Sequence, residues 1–177
     1  MNQKRRQAIE NLAKIIRKNL DISTPVNIEK VIKDLKGELI SEKFDDSTIS
    51  GKIQKHGETF KISYNEEHSV TRSKFTIAHE LGHLFLHMGF LVDPEKWNKI
   101  DEYCDSPKYR QGYSEEEYEA NQFAGAFLMP SEEYKKFVEE NKDKQNNTIK
   151  VDLIATHFGV SVDAALTRGK WLGVFEW

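Results

Sequence analysis

The segment His79-Glu80-Leu81-Gly82-His83 combines side chains that can bind a metal ion and move a proton. Histidines four residues apart lie on one face of a helix, about one turn apart, so both imidazoles can reach one tetrahedral Zn²⁺. A carboxylate beside the first histidine can take a proton from a metal-activated water. The pattern therefore predicts a zinc hydrolase centre with His79 and His83 as ligands and Glu80 as general base.

The residues around this motif help to decide between a metal site and a chance pattern on a surface helix. Their spacing predicts an amphipathic helix over residues 75–87. Gly82 would let another element, or the substrate, approach this helix closely. Apolar neighbours on both sides indicate burial and favour the metal site; they are Phe75, Ile77, Ala78, Leu81, Leu84 and Phe85.

A catalytic zinc ion needs a third protein ligand and one open position. His87 is the nearest candidate, but at 3.6 residues per turn it lies about 80° away from the face of His79. A histidine near the negative end of a helix dipole has an alternative, purely electrostatic role. We therefore do not expect His87 to bind the metal.

Two glutamates after Ser114 are better candidates for the third ligand. Glu117 lies on a helical stripe of small residues, so its helix could pack closely on the zinc helix and point a carboxylate at the metal. Ser114 and Glu117 also have the spacing of a capping box, in which the glutamate satisfies a backbone amide instead. On these residues alone, Glu117 and Glu119 both remain open as the ligand.

These motifs resemble those of the ImmA/IrrE family of zinc metallopeptidases. The resemblance extends over nearly the whole chain and rests on residues 72–83 with Leu86 and His87, on residues 117–124 with 128–130, and on residues 25–28. It implies that His79, His83 and Glu117 bind Zn²⁺ and that Glu80 is the general base.

The resemblance also implies a biological role. Members of this family in mobile elements act beside a helix-turn-helix repressor and relieve repression by cleaving it, and others serve stress responses. The implied activity is a zinc-dependent endopeptidase with such a repressor as its protein substrate. The alternative is a non-proteolytic, zinc-containing regulator that binds DNA or protein. The complete motif favours the enzyme, because a purely structural zinc site has no use for Glu80 as a base.

The remaining segments predict an α+β fold with a zincin-like metallopeptidase core. Helices are expected over residues 3–20 and 28–35, and strands over 38–44, 49–55 and 59–64, forming a small antiparallel sheet. The strand at 59–64 is a candidate edge strand for an extended substrate, although an ordinary hairpin strand fits equally well. We assign residues 1–142 to this domain.

Residues 148–177 form the second predicted unit, with helix-turn-helix-like spacing around Gly159 and Ser161. Its three basic residues are balanced by three acidic residues. DNA binding depends on neutralising phosphates, so this balance argues against it. We expect a helical unit packed on the peptidase domain, with a protein rather than DNA as the partner.

Composition sets further limits. The chain has 177 residues, 38% hydrophobic and 31% charged, a balance typical of a soluble domain. One cysteine, Cys104, excludes an internal disulfide, and the spaced apolar residues at the start do not match a signal peptide, so we expect a cytoplasmic protein. Seven acidic residues between positions 101 and 119 could attract a basic partner, or simply form a solvated face.

Overall fold

The computed structural model describes residues 1–46, 48–100 and 114–177, which form an α+β fold. Its helices are α1 (Gln3–Asn19), α2 (Ile28–Asp34), α3 (Val70–Gly82), a π-helix (His83–His87), α4 (Pro94–Lys99), α5 (Glu115–Leu128), α6 (Ser131–Asn141), α7 (Val151–Phe158) and α8 (Val162–Trp171). Its strands are β1 (Glu38–Glu42), β2 (Gly51–His56) and β3 (Thr59–Asn65).

The sheet is mixed, and this corrects the antiparallel sheet expected from the sequence. The strand order is β1-β3-β2, in which β2 and β3 are antiparallel while β1 and β3 are parallel, with Ile40 opposite Ser63. A tight turn at Gly57, with φ of 59°, joins β2 to β3 as a hairpin. The chain therefore reaches β2 from β1 by crossing to the far side of β3.

Strand β3 is central, so of the two interpretations of residues 59–64 the candidate edge strand is wrong and the ordinary hairpin strand is the one observed. β3 pairs with a neighbouring strand on each side, and its Phe60 and Ile62 side chains are fully buried. A strand with this much apolar surface gains most from the middle of a sheet, where both neighbours exclude water from it. The edges of the described sheet are β1 and β2.

Helix α3 begins earlier than the apolar periodicity predicts. The side chain of Ser69 accepts a hydrogen bond from the Arg72 amide and caps the helix, six residues before Phe75, where the predicted helix begins. After Gly82 the helix widens into the π-helix, where the Met88 amide donates to the His83 carbonyl over 2.9 Å. A single π-turn inside a helix is rare and frequently marks a functional site.

The core lies between the sheet and three helices. Helix α5 packs against both α1 and α3, and α3 also contacts β2 and β3. Phe85, Phe123 and Phe127 are buried between these elements. The ring centroid of Phe123 lies 5.7 Å from that of Phe85 and 5.6 Å from that of Phe127. This packing fixes α3 against α5, the two helices that carry the predicted ligands.

The last three helices pack on the same core. The Tyr134 hydroxyl of α6 donates to the Ala165 carbonyl of α8 over 2.6 Å. Arg168 of α8 is buried, where its guanidinium binds both carboxylate oxygens of Glu10 and the Met129 carbonyl. Gly159 ends α7 in the left-handed conformation and Ser161 caps α8. The division into residues 1–142 and 148–177 stays a prediction.

The segment between the two predicted ligand motifs is described up to Ile100. It contains the short helix α4, whose Trp97 is buried against Phe90. Cys104 and the acidic residues from 101 to 113 lie outside the described residues. Among the helices of the described part, none combines the length and apolar character needed to cross a membrane.

Candidate metal centre

Two histidines of the zinc motif meet inside the protein. His79 of α3 and His83, the first residue of the π-helix, lie one turn apart, and their Nε2 atoms are 3.0 Å apart. Both residues are buried, because this face of α3 is covered by α5. The local helical spacing thus places two nitrogen donors at one point.

Helix α5 brings a carboxylate to the same point. The Oε2 atom of Glu117 lies 3.3 Å from the His79 Nε2, and its Oε1 atom lies 3.3 Å from the His83 Nε2. Ser114 does cap α5, because its hydroxyl accepts the Glu117 amide N–H over 3.3 Å. Capping and an inward-pointing carboxylate therefore coexist, since the first uses the backbone of Glu117 and the second its side chain.

The spacing of these atoms suits a zinc ion. Ligand atoms about 2.0–2.1 Å from a tetrahedral zinc are about 3.3 Å from one another. Here the two Nε2 atoms are 3.0 Å apart, and each lies 3.3 Å from a different oxygen of the Glu117 carboxylate. Among the described residues, His79, His83 and Glu117 form the one group of three such side chains close enough to share a metal.

Asn121 orients the first histidine, a role that sequence reasoning missed. Its Oδ1 atom lies 3.0 Å from the His79 Nδ1. A carbonyl oxygen can only accept, so the Nδ1 of His79 carries the hydrogen and its Nε2 presents a lone pair to the centre. The signal was the helical spacing, because Asn121 lies one turn after Glu117 on α5.

The charge state of the centre also suits a cation. Burial raises the pKa of Glu117, but the neighbouring His79 and His83 outweigh this, so the pKa lies well below its usual value. Burial lowers the pKa of His79, whereas the contact with Glu117 and the nearby charge of Glu80 raise it. The two carboxylates outweigh burial, so the pKa of His79 lies above its usual value. An ionised carboxylate facing two imidazoles is a donor set that zinc favours.

Glu80 lies on the next face of α3, beside the sheet. It is buried, and a Cβ atom added to Gly51 of β2 would lie 3.3 Å from its Oε1. The missing side chain at Gly51 therefore leaves room for this carboxylate between α3 and the edge strand. Glu80 is thus adjacent to the donor cluster without belonging to it.

His87 and Glu119 lie behind the donor cluster. The His87 Nδ1 is 2.9 Å from the His83 Nδ1, on the side of the ring that faces away from Glu117. The Glu119 Oε2 is 3.3 Å from the His87 Nε2, and Arg5 binds the same carboxylate. Of the two candidate glutamates, Glu117 is the one beside both motif histidines.

Comparison with known proteins relates the chain to one family and to one solved structure. The family model described as the IrrE N-terminal-like domain matches residues 32–170. A Mycobacterium tuberculosis transcriptional regulator of known structure is similar with a TM-score of 0.61 and 17% identity, over 96% of this chain. At this identity the likeness shows the fold alone, and this chain covers 56% of that one. No curated protein sequence matches the chain.

The family match includes all of the elements that build the centre except α1. It spans α3 and α5 and continues through most of α8. It also contains each of the three donor residues and Glu80. The chain belongs to the ImmA/IrrE peptidase family.

Proposed function

We propose that the protein is a zinc-dependent endopeptidase in which His79, His83 and Glu117 hold the metal. The observation that carries this proposal is the convergence of two imidazole nitrogens and the Glu117 carboxylate, next to the buried carboxylate of Glu80. Three protein ligands leave the fourth zinc position for water or substrate, as in catalytic rather than structural sites. Zinc bound there would lower the pKa of water and polarise a peptide carbonyl.

Glu80 is the general base in this proposal. Its carboxylate takes a proton from the attacking water as oxygen bonds to the carbonyl carbon, and delivers that proton to the departing amine as the C–N bond breaks. Atoms balance, because one water adds across one peptide bond. Burial beside the donor cluster excludes bulk solvent from this carboxylate and keeps it near the reacting atoms.

Strand β2 is the element best placed to hold the substrate. It is an edge of the described sheet, and its Gly51 lies against Glu80. An extended peptide that pairs with this strand would be bound mainly through its backbone. β2 thus takes the role that the sequence suggested for residues 59–64.

We further propose that the substrate is a helix-turn-helix repressor, as the family resemblance implies. A DNA-binding role for this chain itself is less well supported by its contacts. Arg168, one of the few cations of the C-terminal helices, is buried and paired with Glu10. A cation held in this way cannot contact phosphates, and the C-terminal helices keep little positive charge for DNA.

The deciding experiment incubates the zinc-loaded protein with the repressor encoded beside its gene and maps any cleavage site by mass spectrometry. Glu80→Gln is the matched control, because the amide keeps the shape of the side chain but cannot accept the proton. We expect one defined cut that requires zinc and Glu80. Normal derepression of the neighbouring promoter by Glu80→Gln, without cleavage, would instead support a non-proteolytic regulator.

A further inference from the structure

A second set of polar residues, of which His87 is buried, extends from the candidate metal centre to the surface. The chain of contacts runs from His83 to His87, from His87 to Glu119, and from Glu119 to Arg5 of α1. The Arg5 Nε and Nη2 atoms lie 2.7 and 2.5 Å from the two oxygens of Glu119. Neither the proposed ligand set nor the proposed base uses these three outer residues.

The hydrogens in this chain of contacts can be ordered in one direction. Arg5 can only donate and an ionised Glu119 can only accept, so Glu119 presents acceptor oxygens to His87. The Nε2 of His87 must then carry a hydrogen, and in the neutral ring its Nδ1 is an acceptor. Across the 2.9 Å contact, the Nδ1 of His83 must therefore be the donor.

This order fixes the other nitrogen of His83. With its hydrogen on Nδ1, the neutral ring has a lone pair on Nε2, the atom that faces Glu117 and His79. The reverse tautomer would point a hydrogen at the metal position. The identity of Glu119 thus determines which face of His83 can bind a metal.

His83 and His87 are four residues apart, so their rings are neighbours on the helix surface. The centroids of the two rings are 4.9 Å apart, close to the 4.8 Å between His79 and His83. In a regular helix His87 would lie about 80° away from the face of His79. The longer hydrogen-bonded loop of a π-turn reduces the rotation per residue and returns His87 towards that face.

We propose that Arg5, Glu119 and His87 form a positioning relay that holds His83 in its metal-binding tautomer. The relay residues are positioning residues rather than ligands, because their atoms contact His83 from behind the donor cluster. The inference rests on the proposed function insofar as it assigns His83 to the metal. It adds that α1 contributes to the metal centre through Arg5.

The test compares Glu119→Gln with Glu116→Gln, which removes the same charge from the same helix at an exposed position. Zinc affinity is measured by competition with a chromogenic chelator. The tautomer of His83 is measured without zinc by imidazole ¹⁵N NMR. A glutamine amide can donate to His87 and reverse the hydrogen order, so we expect the Nε2–H form of His83. We also expect zinc binding about 10–100-fold weaker, as for other outer-shell partners of metal ligands.

Arg5→Gln is the second variant. Arg5 is 44% exposed, so the fold should tolerate its loss even if Glu119→Gln proves unstable. We expect weaker zinc binding in this variant and no change in Glu116→Gln. Wild-type zinc affinity with an Nδ1–H His83 in both Glu119→Gln and Arg5→Gln would overturn the relay. A wild-type protein that binds no zinc would overturn the proposed function. The relay would still be tested in that case, because the tautomer of His83 is measured without zinc.

Discussion

Gly82 of α3 lies directly against the backbone of Ala120 in α5. A Cβ atom added to Gly82 would be 2.9 Å from the Ala120 Cα and 3.0 Å from its carbonyl oxygen. No side chain fits in this space, so the two helices can approach closely only because residue 82 is glycine. This approach brings Glu117 within reach of His79 and His83.

Gly82→Ala should therefore weaken the metal centre. Alanine favours helix more than glycine does by roughly 1 kcal/mol, so a loss of function would come from the clash alone. We expect α5 to be displaced and zinc content to fall, measured by metal analysis after gel filtration. Gly125→Ala in α5 is the control, because an added Cβ atom there would lie 3.6 Å from the Arg168 side chain, an ordinary van der Waals distance. Equal zinc content in both variants would contradict this interpretation.

Substitutions of the three proposed ligands should affect zinc binding, whereas substitution of the helix cap Ser114 should affect stability alone. His79→Ala, His83→Ala and Glu117→Gln should each lose zinc and peptidase activity together, because each removes one donor atom of the centre. Ser114→Ala should keep zinc and lose about 0.5–2 kcal/mol of stability, since it removes only the cap of α5. Zinc content and urea unfolding of the four variants separate these outcomes. Full zinc occupancy in the histidine variants would exclude the assignment.

Glu80→Gln should separate metal binding from catalysis. General acid–base catalysis contributes about 10²–10⁴-fold, so we expect cleavage to fall by this factor. Zinc content should stay at the wild-type level, because Glu80 lies outside the donor cluster. The measurements are the cleavage rate under single-turnover conditions and the bound zinc of the same preparation. A variant that cleaves at the wild-type rate would show that another group moves the proton.

Tyr134 should make stability sensitive to alkaline pH. Burial raises the pKa of its hydroxyl to about 12, above the usual value for tyrosine. A group whose folded pKa is raised gives stability that is complete below the unfolded pKa of about 10 and is lost as pH rises through the folded pKa. We expect unfolding free energy to decrease between pH 10 and 12 in the wild type more than in Tyr134→Phe. Parallel curves for the two proteins would contradict a buried, neutral hydroxyl.

Local signals predicted most helices and the heart of the site. Ser114 caps α5 as its capping-box spacing suggested, and α2 begins at residue 28 as predicted, with Asn27 as its cap. The four-residue spacing of His79 and His83 was likewise sufficient to place them together. These features depend on a few neighbouring residues, which is why a sequence alone reveals them.

Features that depend on distant contacts were not predictable. The parallel pairing of β1 with β3 is set by packing across the sheet, and nothing within either strand encodes it. The residue types of His83–His87 give no local signal that would predict a π-helix instead of a continued α-helix. Arg5 and Glu119 are separated by 114 positions, and either charge alone is typical of a solvated helix face.

The ion pair between Glu10 and Arg168 joins the first long helix to the last one across 158 positions of sequence. The same first helix carries Arg5, which binds Glu119 beside the candidate metal centre. Losing α8 would remove the Arg168 partner of the half-buried Glu10 carboxylate and loosen α1, and with it the contact of Arg5 with Glu119. We therefore expect α1, α8 and the metal centre to unfold in one cooperative step. Zinc should then protect the amides of α8 from hydrogen exchange, although α8 carries none of the proposed ligands.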